Sequence, residues 1–440
     1  MRTKQYLRLL ALAAILGAPI SAIAYWFLKL VALLQHWVFT SVPNGLGFHG
    51  EPVWWPLLPL LVAGAAVGPI IKYLPGRGGH SPADGFKASG VAQPKELTGI
   101  FLAAIVSLGL GVVIGPEAPL IAIGGGLAFL AVKLARRDVP ATAGAVVAAA
   151  GSFAAISTLL GSPLAGAFLL LEASGLGGAT ATMVLLPGLL GAGIGALIFT
   201  GLNVLTGYGT FSLAIPHLPP FAHPDAAEFG WALVIAVAAA FVGYGIRWLA
   251  VLLRGHVERQ LVLLTPLAGL VIAGLAIAYS EGSGHPSSDV LFSGQSFLGP
   301  LITHAAAYSV GALLLLIVCK GLAYSLALSS FRGGPTFPAM LVGAAGGIVL
   351  SHLPGLPVVA GAAIGLSALM VAMLRLPMTS VLIATLFLGS DGIGVLPLVI
   401  VAVVVSFVLT IWLAGAPATP DHTTTSPQAG AAQPAPTQVR

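Results

Sequence analysis

Apolar runs follow one another along almost the whole chain, and several are too short to cross a bilayer. After Arg2, Lys4 and Arg8 the first continues to about Val38. Others cover about 53–74, 98–114, 118–135, 141–159, 163–173 and 180–206. Beyond a polar stretch from Gly207 to Glu228 come about 229–254, 260–280, 299–330, 336–352, 357–374, 377–388 and 393–414. A hydrocarbon core of roughly 30 Å takes about 20 helical residues at about 1.5 Å each. The shorter runs, bounded by Gly and Pro, are therefore expected to be half-helices that end inside the protein. Broken backbone at membrane depth survives only where it is buried or lines a hydrated cavity.

Composition agrees. Only 7% of residues are charged and 58% are hydrophobic, against roughly 25% charged in a soluble domain. A soluble enzyme could not hydrate such a surface, and a disordered chain would not be so apolar. The single cysteine, Cys319, excludes an internal disulfide and a cysteine-based metal cluster. The net charge of +5 is not a nucleic-acid signal, because the basic residues fall in short groups at the ends of apolar runs. Lys133, Arg136 and Arg137 form one group; Arg247, Arg254 and Arg259 form another. Both groups are expected on the cytoplasmic side with the N-terminus, which we read as a retained helix and not a signal peptide. From Gly415 onward the chain is rich in Pro, Thr, Ala and Gln and is expected to be a disordered tail.

A repeat underlies the pattern. Gly115-Pro116-Glu117-Ala118-Pro119 is followed by Ser162-Pro163-Leu164-Ala165-Gly166; Gly333-Gly334-Pro335-Thr336-Phe337-Pro338 is followed by Leu376-Pro377-Met378-Thr379-Ser380. Each half has a Gly/Pro break, a glycine-rich helix and a second helix opening on proline. Paired interruptions in two halves point to a transport site at the repeat interface. The expected organisation is a first membrane repeat over 1–206, a polar connection over 207–228, a second repeat over 229–414 and the tail over 415–440.

Glu117 is the strongest single feature, because a carboxylate inside an apolar run is costly unless paired, protonated or wetted. Gly115 suggests a tight turn and Pro119 a helix first turn, which would place the carboxylate at a helix N-terminus, where free N–H groups favour anions. There it is either a gate that occupies and vacates an anion site, or a structural cap. Ser81, in Gly79-His80-Ser81-Pro82, either offers its hydroxyl to a ligand or caps a short helix. His80 and Asp84 are the one near-spaced pair that could serve a membrane enzyme, and they lack a third member.

In these motifs the chain resembles the CLC family of chloride channels and proton-coupled chloride antiporters, from about residue 5 to 414. Gly115-Pro116-Glu117-Ala118-Pro119 is similar to the family's G-[RK]-E-G-P, and Pro163-Leu164-Ala165-Gly166 to its P-L-A-G helix. Gly79-His80-Ser81-Pro82 stands for G-S-G-I-P, one residue shorter. Gly334-Pro335-Thr336-Phe337-Pro338 stands for G-x-F-x-P with Thr336 at the Phe position, and Pro377-Met378-Thr379-Ser380 for the last helix. Lys320 sits where family members often have a lysine.

The resemblance implies an all-α polytopic membrane protein of two inverted-topology repeats, not an enzyme. It implies a homodimer with one pore per subunit in the plasma membrane, with no cofactor beyond the chloride or other small anion it carries. Glu117 would be the gate. Anions would be held by Ser81, Gly115, Glu117, Ala118, Thr336 and Phe337, through helix N-termini and not full charges. Proton-coupled members have two adjacent glutamates where this chain has Glu172 and Ala173, so the inward proton-transfer residue is replaced. That favours a passive gated channel; chloride/proton or fluoride/proton exchange is the alternative. The tyrosine expected near the C-terminal helix is missing. Pro116 and Pro335 remove N–H donors from the anion loops.

Overall fold

The structure, a computed structural model, describes residues 3–86, 91–135, 141–175, 178–208, 214–215, 218, 221, 224–389 and 392–415. Arg2, Arg136, Arg137, much of the 207–228 connection and the tail beyond Gly415 lie outside the described residues, so the expectations placed on them stay with the sequence. The first half carries α1 (Thr3–His36), continuing through a π-helical turn into α2 (Val42–Gly45), then α3 (Leu57–Tyr73), α4 (Leu97–Gly109), α5 (Glu117–Ala135), α6 (Ala141–Leu160), α7 (Pro163–Ser174) and α8 (Gly178–Thr206). The second carries α9 (Ala226–Val257), α10 (Leu261–Ser283), α11 (Gln295–Thr303), α12 (Val310–Ser330), α13 (Thr336–Leu350), α14 (Val358–Leu374), α15 (Pro377–Phe387) and α16 (Gly392–Ala414). Eight helical spans among the described residues are long and apolar enough to cross a membrane. α3, α7, α13, α14 and α15 are apolar but shorter, as the interrupted runs required.

Local chemistry sets the boundaries. Asp225 and Glu228 exchange backbone and side-chain hydrogen bonds in a capping box that starts α9. Ser162 accepts from the Ala165 N–H with Pro163 in the first turn of α7, and Gly175, at φ 63°, ends that helix. The apolar run at 299–330 is not one helix. Ser309 accepts from the Ala312 N–H and restarts the chain as α12, after a short 3-10 turn at Ala305–Ala307.

Helices approach closely where the sequence is glycine-rich. A Cβ on Gly124 would lie 2.5 Å from the Gly151 carbonyl oxygen, so α5 and α6 meet backbone to backbone. In the second half Gly343 meets the Gly365 carbonyl and α13 lies on α14 in the same way. Gly124 and Gly343 stand the same number of residues after Gly115 and Gly334, which carries the repeat from sequence into packing. Large apolar side chains face outward on the perimeter, among them Phe241, Trp248, Val408 and Trp412. That surface suits lipid, and the chain is a multi-pass membrane protein.

Candidate functional site

The two Gly/Pro breaks meet. The Gly115 N–H donates to the Gly334 carbonyl at 2.7 Å, and the Gly334 N–H donates back to Gly115 at 2.5 Å, an isolated antiparallel bridge between the halves. α5 leaves one side of this bridge and α13 the other. Their N-termini are thus brought together at the point where Glu117 opens α5.

Glu117 is wholly buried. Its Oε1 accepts from the Phe337 N–H at 3.2 Å, so the carboxylate lies at its own helix's N-terminus and bonds to the first turn of α13. Oε2 has no hydrogen-bond partner among the described residues. The Thr336 backbone and hydroxyl lie against the same carboxylate, but Thr336 Oγ1, also buried, makes no hydrogen bond of ordinary geometry. Gly115 serves a different purpose from the turn expected of it. Its φ is not positive; the turn falls at Gly111, with φ 93°. What Gly115 and Gly334 provide is room, because a Cβ on either would overlap the Glu117 carboxylate.

A cavity of about 460 Å³ opens from the end of the molecule that carries Arg77 and Glu258, and reaches Ser81, Ala118 and Gly333. Its wall includes Gly333 and Ala118 beside the paired loops but not Glu117. Ser81 precedes a 3-10 turn, Pro82–Asp84, but its side chain caps nothing. Its buried Oγ has no partner among the described residues. Asp84 pairs with Arg254 and not with His80, and no cluster of metal-ligating side chains occurs among the described residues. The His80/Asp84 pairing that an enzyme would need is therefore not formed.

Sequence reasoning missed two side chains here. Arg332 is 7% exposed and lines the cavity. Its signal was a basic residue directly before Gly333-Gly334-Pro335, which reads as an ordinary loop charge. Tyr324, fully buried on α12, donates to the Pro335 carbonyl at 2.6 Å. A tyrosine thus supports the second break from α12, although the one expected near the C-terminal helix is absent.

Glu172 ends up at the far side of the repeat. Its Oε1 accepts from the Met378 N–H at 2.9 Å, and its Oε2 from the Thr379 N–H at 2.8 Å and the Thr379 hydroxyl at 2.6 Å. It caps α15 from the end of α7. Ala173 beside it packs against the edge of the apolar core. Lys320 is fully buried and its Nζ donates to the carbonyls of Asp289, Val290 and Leu291 at 3.0, 2.8 and 3.0 Å. It fixes the loop between α10 and α11.

The chain matches the family model for the voltage gated chloride channel over residues 64–410. It is 30% identical over 360 residues to an Escherichia coli O17:K52:H18 protein named for ion transport, YfeO, covering 79% of this chain and 81% of that one. The counterpart from Escherichia coli K12 is similar to the same extent. Among solved structures, a slow cyanobacterial Cl−/H+ antiporter has a TM-score of 0.74 at 18% identity, covering 93% of this chain and 96% of its own. A CLC-type fluoride/proton antiporter has a TM-score of 0.72 at 18% identity, with 93% and 97% covered. These two likenesses show the fold. Together with the paired breaks and the buried Glu117, the family match establishes that the chain belongs to the CLC family of voltage gated chloride channels, whose members transport anions.

Proposed function

We propose that this protein conducts chloride or a similar small anion passively, with Glu117 as its gate in the closed position. The observation that carries the reading is the Glu117 carboxylate, buried at the junction of two helix N-termini with its Oε1 on the Phe337 N–H. A carboxylate in that place occupies an anion site. When it leaves, the Phe337 N–H becomes free for a passing anion beside the already unpartnered Thr336 hydroxyl, with the backbone about Gly115 and Ala118 alongside, and Ser81, lining the cavity, offers a second unpartnered hydroxyl.

Passive conduction is favoured over proton exchange by the inward side. Ala173 cannot carry a proton, and Glu172 is held by three donors on α15. The repeats would be 1–206 and 229–414 in a homodimer with one pathway per subunit. The ends bearing Arg254 and Arg259 would face the cytoplasm of a plasma-membrane protein.

Proteoliposomes loaded with chloride and read with chloride and pH electrodes test this. Anion efflux without stoichiometric proton movement is expected, and Glu117→Gln should raise the rate and flatten its pH dependence. Proton uptake driven by a chloride gradient would overturn the passive reading. Fluoride-loaded vesicles, run in parallel, settle which anion is preferred.

A further inference from the structure

The cavity beneath the paired loops contains a buried charge with no described carboxylate in contact with it. Arg332 is 7% exposed. Its Nε donates to the Arg77 carbonyl at 3.1 Å and its Nη1 to the Phe331 carbonyl at 3.1 Å. Among the described residues no hydrogen bond uses Nη2, and the side chain lines the cavity. The ion pairs among the described residues are those of Arg254 with Asp84 and with Glu258, and neither involves Arg332. A guanidinium taken out of water without a counter-charge is costly, and buried charges are found paired. The Arg332 stem is also held in place, since even a Cβ on Gly78 would come within 3.3 Å of its Cγ.

The carboxylates around the cavity offset this charge only from a distance: Glu258 and Asp84 attract the Arg332 guanidinium, Arg254 and Arg77 repel it, and no described carboxylate is in ion-pair contact with it. Asp84 and Glu258 are 40% and 53% exposed at their side chains and are engaged by Arg254. Glu96 accepts from the Gln93 N–H in a capping box. Arg332 is thus the deep charge and the acids are the exposed ones. The same cavity is lined by Ser81, whose buried hydroxyl has no partner among the described residues, and by Ala118 in the first turn of α5.

We propose that Arg332 is the fixed counter-charge of an inner anion site, holding one small monovalent anion together with the Ser81 hydroxyl at the cytoplasmic end of the pathway. The proposal rests on the anion-transport reading and adds a residue that sets affinity. It also departs from the expectation that helix N-termini alone hold the ion. With Pro116 and Pro335 unable to donate N–H groups, a full charge takes over part of the attraction. The consequence is a site that fills at low anion concentration and empties slowly.

Chloride binding to the detergent-purified full chain, titrated calorimetrically in an isethionate buffer, tests it. Saturable binding is expected, weakened about tenfold or more by Arg332→Gln and less by Arg332→Lys, where tenfold corresponds to about 1.4 kcal/mol. Ser81→Ala, which leaves the charge, should weaken binding by a smaller factor. In reconstituted vesicles, Arg332→Gln should raise the half-saturating chloride concentration on the Arg254 side and leave the opposite side unchanged. Equal chloride affinity in wild type and in the folded Arg332→Lys and Arg332→Gln proteins would overturn the proposal, as would an equal shift on both sides. Failure of the wild type to move anions while it still binds chloride through Arg332 would instead sink the transport reading alone.

Discussion

Replacing Glu172 with alanine removes the acceptor of three donors at once, and the structure sets what that should cost. Hydrogen bonds to a charged acceptor contribute about 1.5–3 kcal/mol each, and they do not add when they share one carboxylate. Met378 is 61% exposed, so its N–H regains water. The Thr379 hydroxyl can rotate, but the Thr379 N–H belongs to a fully buried residue and would be left without a partner. One stranded amide plus a lost helix cap comes to about 2 kcal/mol. Glu172→Gln should cost less, because its amide oxygen can still accept from the Thr379 N–H while its nitrogen faces the exposed Met378 N–H. Thermal unfolding of the purified protein should show both variants melting below wild type, Glu172→Ala by the larger amount. Flux recordings on the folded fraction should show no change in proton movement per anion. If both variants melt with wild type while proton movement changes, Glu172 is a proton carrier and the capping argument fails.

Three other perturbations follow from the geometry. Gly334→Ala places a methyl against Glu117 Oε2 and should expel the carboxylate, giving flux that resembles that of Glu117→Gln; unchanged gating would show that the loop yields instead. Lys320→Met strips the donor from three loop carbonyls and should cost about 3–5 kcal/mol, read as a loss of folded protein on size-exclusion chromatography. Glu51, in the loop before α3, is pushed above the ordinary carboxylate range by burial, with its Ser287 hydrogen bond opposing this. A folded pKa raised above the unfolded value of about 4.3 makes the ionised form a burden at neutral pH that disappears as pH falls below that value. Glu51→Gln should therefore raise the melting temperature at pH 7.5 and leave it unchanged near pH 4.

The membrane fold and the central break were legible because they depend on local facts. A carboxylate between two prolines in an apolar run has few structural uses, and Glu117 is found at a helix N-terminus as its neighbours required. Short runs bounded by Gly and Pro did become short helices. What was not legible depends on partners distant in the chain. Glu172 reads as an inward carboxylate until its acceptor atoms are found on the N–H groups of Met378 and Thr379 in the other half. The choice for Ser81 between capping and a ligand role is not made by its neighbours in sequence, since its Oγ is buried and caps nothing in the turn that follows. Arg332 gains its meaning from burial, which a single basic residue beside two glycines does not announce. The break inside 299–330 was hidden because Ser309 looked like one more small residue in an apolar stretch.

The bridge between Gly115 and Gly334 has a mechanical consequence. Two reciprocal amide bonds lash the halves together at the point an ion would have to pass, so widening the path by separating the halves would first break both. If Glu117 is the gate proposed above, gating is confined to rotation of that carboxylate about its side-chain bonds, with the scaffold held still. Such a gate flickers on the time scale of side-chain motion and works with a small temperature coefficient. It also keeps no memory of its last opening, since no large body has to swing back.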